Sequence, residues 1–284
     1  MSASQAIVNS NRVFYGITIA YIFYVNNQRK EQTMKTRSIF TAITSTLCLA
    51  AITSVSASII NLNSTIRDIS VDHPDFQTFC CGLVTGMVGS TLGVDGTPTF
   101  VGGAHMSNAD NFSDWYSTGT DHVLGEMNYS LALDNTITAD PNVYTFTDSS
   151  FFPIDGLLGG NQGYNHNYHF TLRLGTDFTY QGGETFSFTG DDDVWVYIND
   201  ELVIDLGGVH GAASASVGLD SLGLTVGNDY SFDLFFAERH TTQSNFRIDT
   251  SIQLNSNQVP EPNVIVLMGA GLFGLGLVRR RMKK

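Results

Sequence analysis

From Phe186 to Leu206 the chain reads FSFTGDDDVWVYINDELVIDL. Phe186, Phe188, Val194, Val196, Ile198, Val203 and Ile204 are strand-forming residues, and Asn199-Asp200 is a turn signal between two such runs. The pattern predicts a β-hairpin. Before its central strand Asp191, Asp192 and Asp193 stand in a row behind Gly190. Adjacent carboxylates repel one another; water and salt screen this in an exposed loop, but far less so between apolar strands. The closest basic residues in sequence are Arg173 and Arg239, so the triplet needs a countercharge from elsewhere. A hard cation with oxygen ligands supplies one, and calcium takes about six to eight oxygens in flexible geometry. The alternative is a turn whose Asp side chains accept bonds from their own backbone amides, although a turn needs one or two such caps and not three.

The flanking sequence has the same period. HNYHFTLRL alternates with Tyr168, Phe170, Leu172 and Leu174 on one face. FTYQGGETFSF gives two short strands around Gly182-Gly183, and Tyr230, Phe232 and Leu234 alternate in a later strand. FSDWY (112–116), YSLALD (129–134), VYTF (143–146) and NFRIDTSIQL (245–254) add further short apolar runs, whereas the Gly-rich sequence up to Gly103 is weakly patterned. No long helical period occurs between residues 58 and 254. Many short strands separated by Gly, Asn and Asp predict an all-β sandwich or barrel.

Charge is unevenly spread. Between residues 58 and 278 there are 4 basic residues, no lysine and 26 acidic residues. Such a surface repels nucleic acid and anionic lipid and suits a secreted, cation-binding domain. Disorder is the alternative for an acidic chain, and the many Phe, Tyr, Val and Leu argue against it. Cys80 and Cys81 are adjacent, and neighbouring cysteines rarely bridge each other because the ring is strained. Buried thiols or pairing between molecules remain open, and no zinc pattern or disulfide framework follows.

Both ends differ from the body. MKTRSIFTAITSTLCLAAITSVSA (34–57) has a basic start, an apolar centre and a small-residue cleavage site, the layout of a secretory signal peptide. Residues 1–33 precede it and read as a start-site artefact, with an N-terminal extension or anchor as the alternative. At the other end Pro260-Glu261-Pro262 closes a linker (255–262), followed at 263–284 by an apolar run, VIVLMGAGLFGLGLV, and a basic RRRMKK. A short membrane-stop helix with its positive flank inside is expected there.

This three-part tail resembles a PEP-CTERM sorting signal. The resemblance implies cleavage by an exosortase near Pro260, Glu261 and Pro262, after signal peptidase has acted, in a Gram-negative bacterium that makes extracellular polysaccharide. The protein is then expected to cross the inner membrane, touch the membrane only transiently, and end at the cell surface or in the matrix. The body, from TIRDISVDHPDF through FFPIDG, HNYHFT, GGETFSFTGDDDVWVYIN, LVIDLGGVH and FFAERHTTQSNFRI, resembles the fibro-slime domain and more distantly the PA14 β-sandwich. A PA14-like antiparallel sandwich over 58–254 is the fold expected. PA14-type lectin domains hold calcium through a paired Asp-Asp loop, often with a cis peptide, and calcium contacts sugar hydroxyls. Carried over, the pair falls on Asp191 and Asp192, and Asn245 is the expected third ligand. Asp193, Asn199, Asp205, Glu238 and His210 are additional contacts to test, although His210 and His240 are unnatural calcium ligands and suit structural bonds better. Trp195 and Tyr197 alternate with the apolar positions of their strand, so one of them is a candidate stacking platform unless both pack in the core.

The function these residues imply is a calcium-dependent carbohydrate-binding adhesin of a biofilm or exopolysaccharide matrix, with no catalysis. A calcium-stiffened matrix protein without glycan binding is one alternative. A glycosidase built on Glu238 and an Asp of the triplet is another, opposed by the absence of a nucleophile elbow and by the lowering of carboxylate pKa beside a cation.

Overall fold

The computed structural model describes residues 58–256. These form twelve strands, one short helix and one 3-10 turn. In chain order they are β1 (Ile59–Ile69), β2 (Val88–Leu92), β3 (Pro98–Phe100), α1 (Ala109–Ser113), β4 (Val123–Asp134), β5 (Tyr144–Asp148), β6 (Phe170–Thr179), β7 (Thr185–Asp191), β8 (Asp193–Ile198), β9 (Glu201–Leu206), β10 (Ala213–Gly218), the turn at Leu219–Leu222, β11 (Asp229–Glu238) and β12 (Asn245–Thr250). All pairings are antiparallel, and the strand order is β10-β7-β12-β5-β4-β1-β6-β11-β8-β9-β2-β3. The sheet curls so that β10 lies against β9, and its two halves face each other as in a sandwich.

The hairpin expected at Asn199-Asp200 forms between β8 and β9, with both turn residues at positive φ (53° and 64°), the geometry of a type I′ turn matched to strand twist. The three aspartates have a different setting. β7 and β8 are consecutive in sequence but far apart in the strand order, so the triplet is the corner where the chain leaves one half of the sheet for the other.

Phe186 and Phe188 of β7 and Val194, Val196 and Ile198 of β8 meet in one core with Phe170, Leu172 and Leu174 of β6, Phe232, Leu234 and Phe236 of β11 and Phe246 of β12. Each fully buried aromatic or aliphatic chain of this kind contributes about 1.5–3 kcal/mol of transfer free energy. A second layer covers the outer face of β8 and β11. Residues 70–123 carry Phe76, Met87, Phe112, Trp115 and Tyr116 onto Trp195, Tyr197 and Phe235. Every residue of β8 is therefore buried.

That second layer decides between the two readings of Trp195 and Tyr197 in favour of core packing. Trp195 and Tyr197 are both 0% exposed: the Trp195 indole N–H donates to Asp205 (3.0 Å) and the Tyr197 hydroxyl to the Gly89 carbonyl (2.9 Å). Neither is a sugar platform. FSDWY is not a strand. Its start closes α1, whose cap Asn108 accepts from Asn111 N–H (2.9 Å), and its aromatic residues plug the second layer. Among the described residues no helix is long and apolar enough to cross a membrane. The leader, the Pro260-Glu261-Pro262 segment and the apolar tail lie outside the described residues.

Candidate functional site

The corner Asp191-Asp192-Asp193 is held from both sides. Asn245, at the start of β12, pairs with Asp191 at the end of β7, and Ala237 of β11 pairs with Asp193. The loop 238–245 thus closes over the corner that the triplet turns. The Asp191–Asp192 peptide is cis, the geometry the PA14 resemblance leads one to expect.

The three carboxylates have separate fates. Both oxygens of Asp191 accept from Asn245, one from its backbone N–H (2.5 Å) and one from its side-chain amide (2.9 Å). Asp192 accepts from the backbone N–H of His210 (3.1 Å) and of Arg239 (3.0 Å). Asp193 is fully buried against Arg239, which donates through Nε (2.6 Å) and Nη2 (3.0 Å), while Gly208 N–H adds a third bond (2.6 Å). The countercharge missing from the local sequence is thus Arg239, 46 residues away, and it serves one aspartate of the three. Asp193 is consequently a structural residue and not a cation ligand, since both its oxygens are taken by a guanidinium that a metal would have to displace.

Asp191 and Asp192 keep capacity, because each carboxylate oxygen has two lone pairs and these bonds use one per oxygen. The Asn245 side chain uses its NH2 group for the bond to Asp191, so its amide oxygen is the acceptor that group leaves over. Burial, with the neighbouring charge of Asp193, pushes the Asp192 carboxyl up to about 7, against the favourable pull of Arg239. Glu238 is 0% exposed, and burial followed by the charges of Asp192 and Asp191 pushes it well above the usual carboxylate range. One of its oxygens receives His240 N–H (3.3 Å), and the buried Ser244 hydroxyl is its side-chain partner. Both rises come first from burial and then from the neighbouring carboxylate charges, which outweigh the pull of Arg239 on Asp192.

Other sequence candidates lie elsewhere. Asn199 sits in the exposed turn at the opposite end of β8. Asp205 is spent on Trp195 and on Gly86 N–H (2.7 Å), so it orients the second layer. The His210 ring bonds the Gly211 and Leu206 carbonyls (2.8 and 3.1 Å), a structural role; its backbone meets Asp192 and its side chain borders the pocket.

A pocket of about 100 Å³ opens over the aspartate pair. Asp191 and Asp192 form one wall, His210 and His240 border it, and Cys80 and Cys81 form another part of its rim. These cysteines are joined in a vicinal disulfide, where the sequence held such bridges to be rare and left buried thiols or pairing between molecules open; the peptide between them is cis. Sequence reading missed the role of this loop because its flanks have no strand or helix period. One cluster was also missed: His73, Asp114 and His122 bring three metal-type donors within ligating reach, the set of that kind among the described residues. The His73 ring is already engaged at both nitrogens, accepting from Asp75 N–H (3.0 Å) and donating to the Asn111 carbonyl (3.0 Å), so the cluster reads as a hydrogen-bonded core.

Residues 134–266 match the PA14 domain, and residues 258–281 match the PEP-CTERM protein-sorting motif, the mark of bacterial export and surface sorting. Among curated proteins, psiQ of Dictyostelium discoideum is 43% identical over 188 residues, covering 61% of this chain and 19% of that protein. Protein psiC of the same organism is 41% identical over 218 residues, covering 69% and 41%. The chain therefore spans less than half the length of these relatives. Among solved structures, a PA14 sugar-binding domain from an RTX adhesin aligns at 11% identity and a TM-score of 0.32, covering 69% of this chain and 92% of that one.

Proposed function

We propose, from the premise that this chain carries a PA14 domain and a PEP-CTERM sorting motif, that it is an exported surface protein binding carbohydrate at the Asp191–Asp192 pocket with the help of calcium. The observation that carries the reading is the Asp191–Asp192 pair in the wall of a pocket, with the side chain of Asn245 bonded to Asp191. The donors fit a hard cation: they are oxygens, two come from carboxylates, and the nearby guanidinium of Arg239 is bonded to Asp193 and not to them. Asp191, Asp192 and the Asn245 amide oxygen would hold the ion. When bound it supplies open coordination positions for vicinal sugar hydroxyls. Glu238 is sealed from solvent, so it does not reach a substrate.

The RTX adhesin domain is described as sugar-binding, and the same class of ligand is proposed here on the strength of the pocket. Exosortase processing at Pro260–Pro262, release from the inner membrane of a Gram-negative cell, and a place in a biofilm or exopolysaccharide matrix belong to the same proposal. The acidic, lysine-free body suits a polysaccharide matrix rich in divalent cations and argues against nucleic acid as partner.

The test is a glycan array read with millimolar calcium and with chelator, alongside melting curves. Wild-type protein should bind and melt higher with calcium. The Asp191→Ala/Asp192→Ala variant should lose both responses. A melting curve that ignores calcium and chelator alike would overturn the metal, and glycan signals untouched by chelator would remove it from recognition.

A further inference from the structure

We propose that the Cys80–Cys81 disulfide is the apolar wall of the sugar pocket, taking the C–H face of the ring while the aspartate side takes its hydroxyls. The inference rests on the carbohydrate reading of the same pocket and adds the surface that reading lacks. A pyranose has a polar edge and an apolar face, and pockets for such ligands combine a few polar groups with apolar lining. Aromatic side chains are the usual apolar partner, but the chain has only two tryptophans, both are fully buried, and no Phe, Tyr or Trp lines this pocket. Its apolar lining consists of Val209 and the two half-cystines. Both cysteines are exposed, and a disulfide is a polarisable surface with no hydrogen to donate.

The position of this wall is built and not incidental. The cysteine loop is clamped to the strand end opposite: Gly82 N–H donates to the Val209 carbonyl (2.7 Å), Val84 N–H to Gly207 (2.6 Å), and Gln77 N–H to Arg239 (2.9 Å). The crossing requires Gly207 and Gly208. A Cβ at Gly207 would stand 2.7 Å from the Val84 carbonyl, and one at Gly208 the same distance from that of Gly82. Gly208 also has φ +96°, a region L side chains avoid. Through Arg239 and His210 the same backbone bonds Asp192. The disulfide and the aspartate pair are therefore two walls of one framework.

The experiment compares the wild-type chain with Cys80→Ser/Cys81→Ser on immobilised galactose, glucose, mannose and N-acetylglucosamine in millimolar calcium, with melting temperature and intact mass read on both. Wild-type protein should show a mass two hydrogens below the dithiol form. The double variant should bind at least tenfold more weakly while keeping the calcium-dependent rise in melting temperature. If the variant fails to fold, a water-soluble phosphine serves on wild-type protein. It gives two electrons to the sulfurs, two protons complete the thiols, and it leaves as its oxide with oxygen from water. Unchanged sugar affinity after either treatment, or free thiols in the purified protein, overturns this inference alone. Wild-type protein that binds none of the sugars overturns the carbohydrate reading with it.

Discussion

Arg239 grips Asp193 through two nitrogens, at 2.6 and 3.0 Å, with both side chains sealed from solvent. Its remaining Nη1 bonds the carbonyls of Asp75 and His105 (3.0 and 2.7 Å), and its plane lies 4.6 Å over the Trp115 ring. One guanidinium thus ties β8, β11 and the covering layer together. Removing one partner of a buried pair leaves the other charge uncompensated, at a cost of about 3–5 kcal/mol. Arg239→Met should destabilise the domain by that order in denaturant melts, and Asp193→Asn by somewhat less. A loss under about 1 kcal/mol for Arg239→Met would show that water reaches the pair. Lysine should not substitute, because it lacks the planar fork.

Trp195 and Asp205 give a second test. Trp195→Phe keeps most of the ring volume but removes the N–H that Asp205 accepts, leaving a carboxylate oxygen short of a partner at a cost of about 1–3 kcal/mol. Stability should fall by that amount while sugar affinity, measured at saturating calcium well below the melting temperature, stays within twofold. A large loss of affinity with little loss of stability would instead place Trp195 in the site.

Much of the strand pattern was legible from the residues. Phe170, Leu172 and Leu174 face the core as their alternation requires, and Asn199-Asp200 makes the turn its composition predicts. The cis Asp191–Asp192 corner over Asn245 follows the family resemblance and was not visible in spacing. Alternation failed at β8, where Val-Trp-Val-Tyr is buried on both faces, because period two reports one covered face and a loop layer covers the other. The role of Asp193 was illegible for a simpler reason. Its countercharge comes from the residue after β11, 46 positions on, and only the register of β8 on β11 brings them together. The disulfide was misjudged because local ring strain is a rule about isolated neighbours, whereas this loop is held by bonds to Gly207, Val209 and Arg239.

Gly208 is where that loop can be broken without touching a ligand. Gly208→Ala forces a Cβ against the Gly82 carbonyl and a side chain onto φ +96°, at a cost of about 1–3 kcal/mol. The melting temperature should drop, and amide exchange at Gly82 and Val84 should rise sharply relative to the core strands. Exchange unchanged at those two amides would mean the loop is not carried by this crossing.

His169 contributes to the acid limb of stability. It is fully buried, one ring nitrogen contacts the Gln77 amide (2.8 Å) and the other, Nδ1, has no partner. Burial, then the neighbouring His240, lowers its pKa from 6.5 to about 4. The unfolded chain therefore binds a proton that the folded chain refuses between those values. The sign follows: the contribution is complete above about pH 6.5 and is lost as pH falls toward 4, with a ceiling of roughly 3 kcal/mol at 1.36 kcal/mol per pH unit. Unfolding free energies measured across this window should fall more steeply for the wild-type chain than for His169→Gln, which cannot titrate and retains an acceptor for Gln77. Parallel slopes for the two proteins would assign the acid limb to other groups.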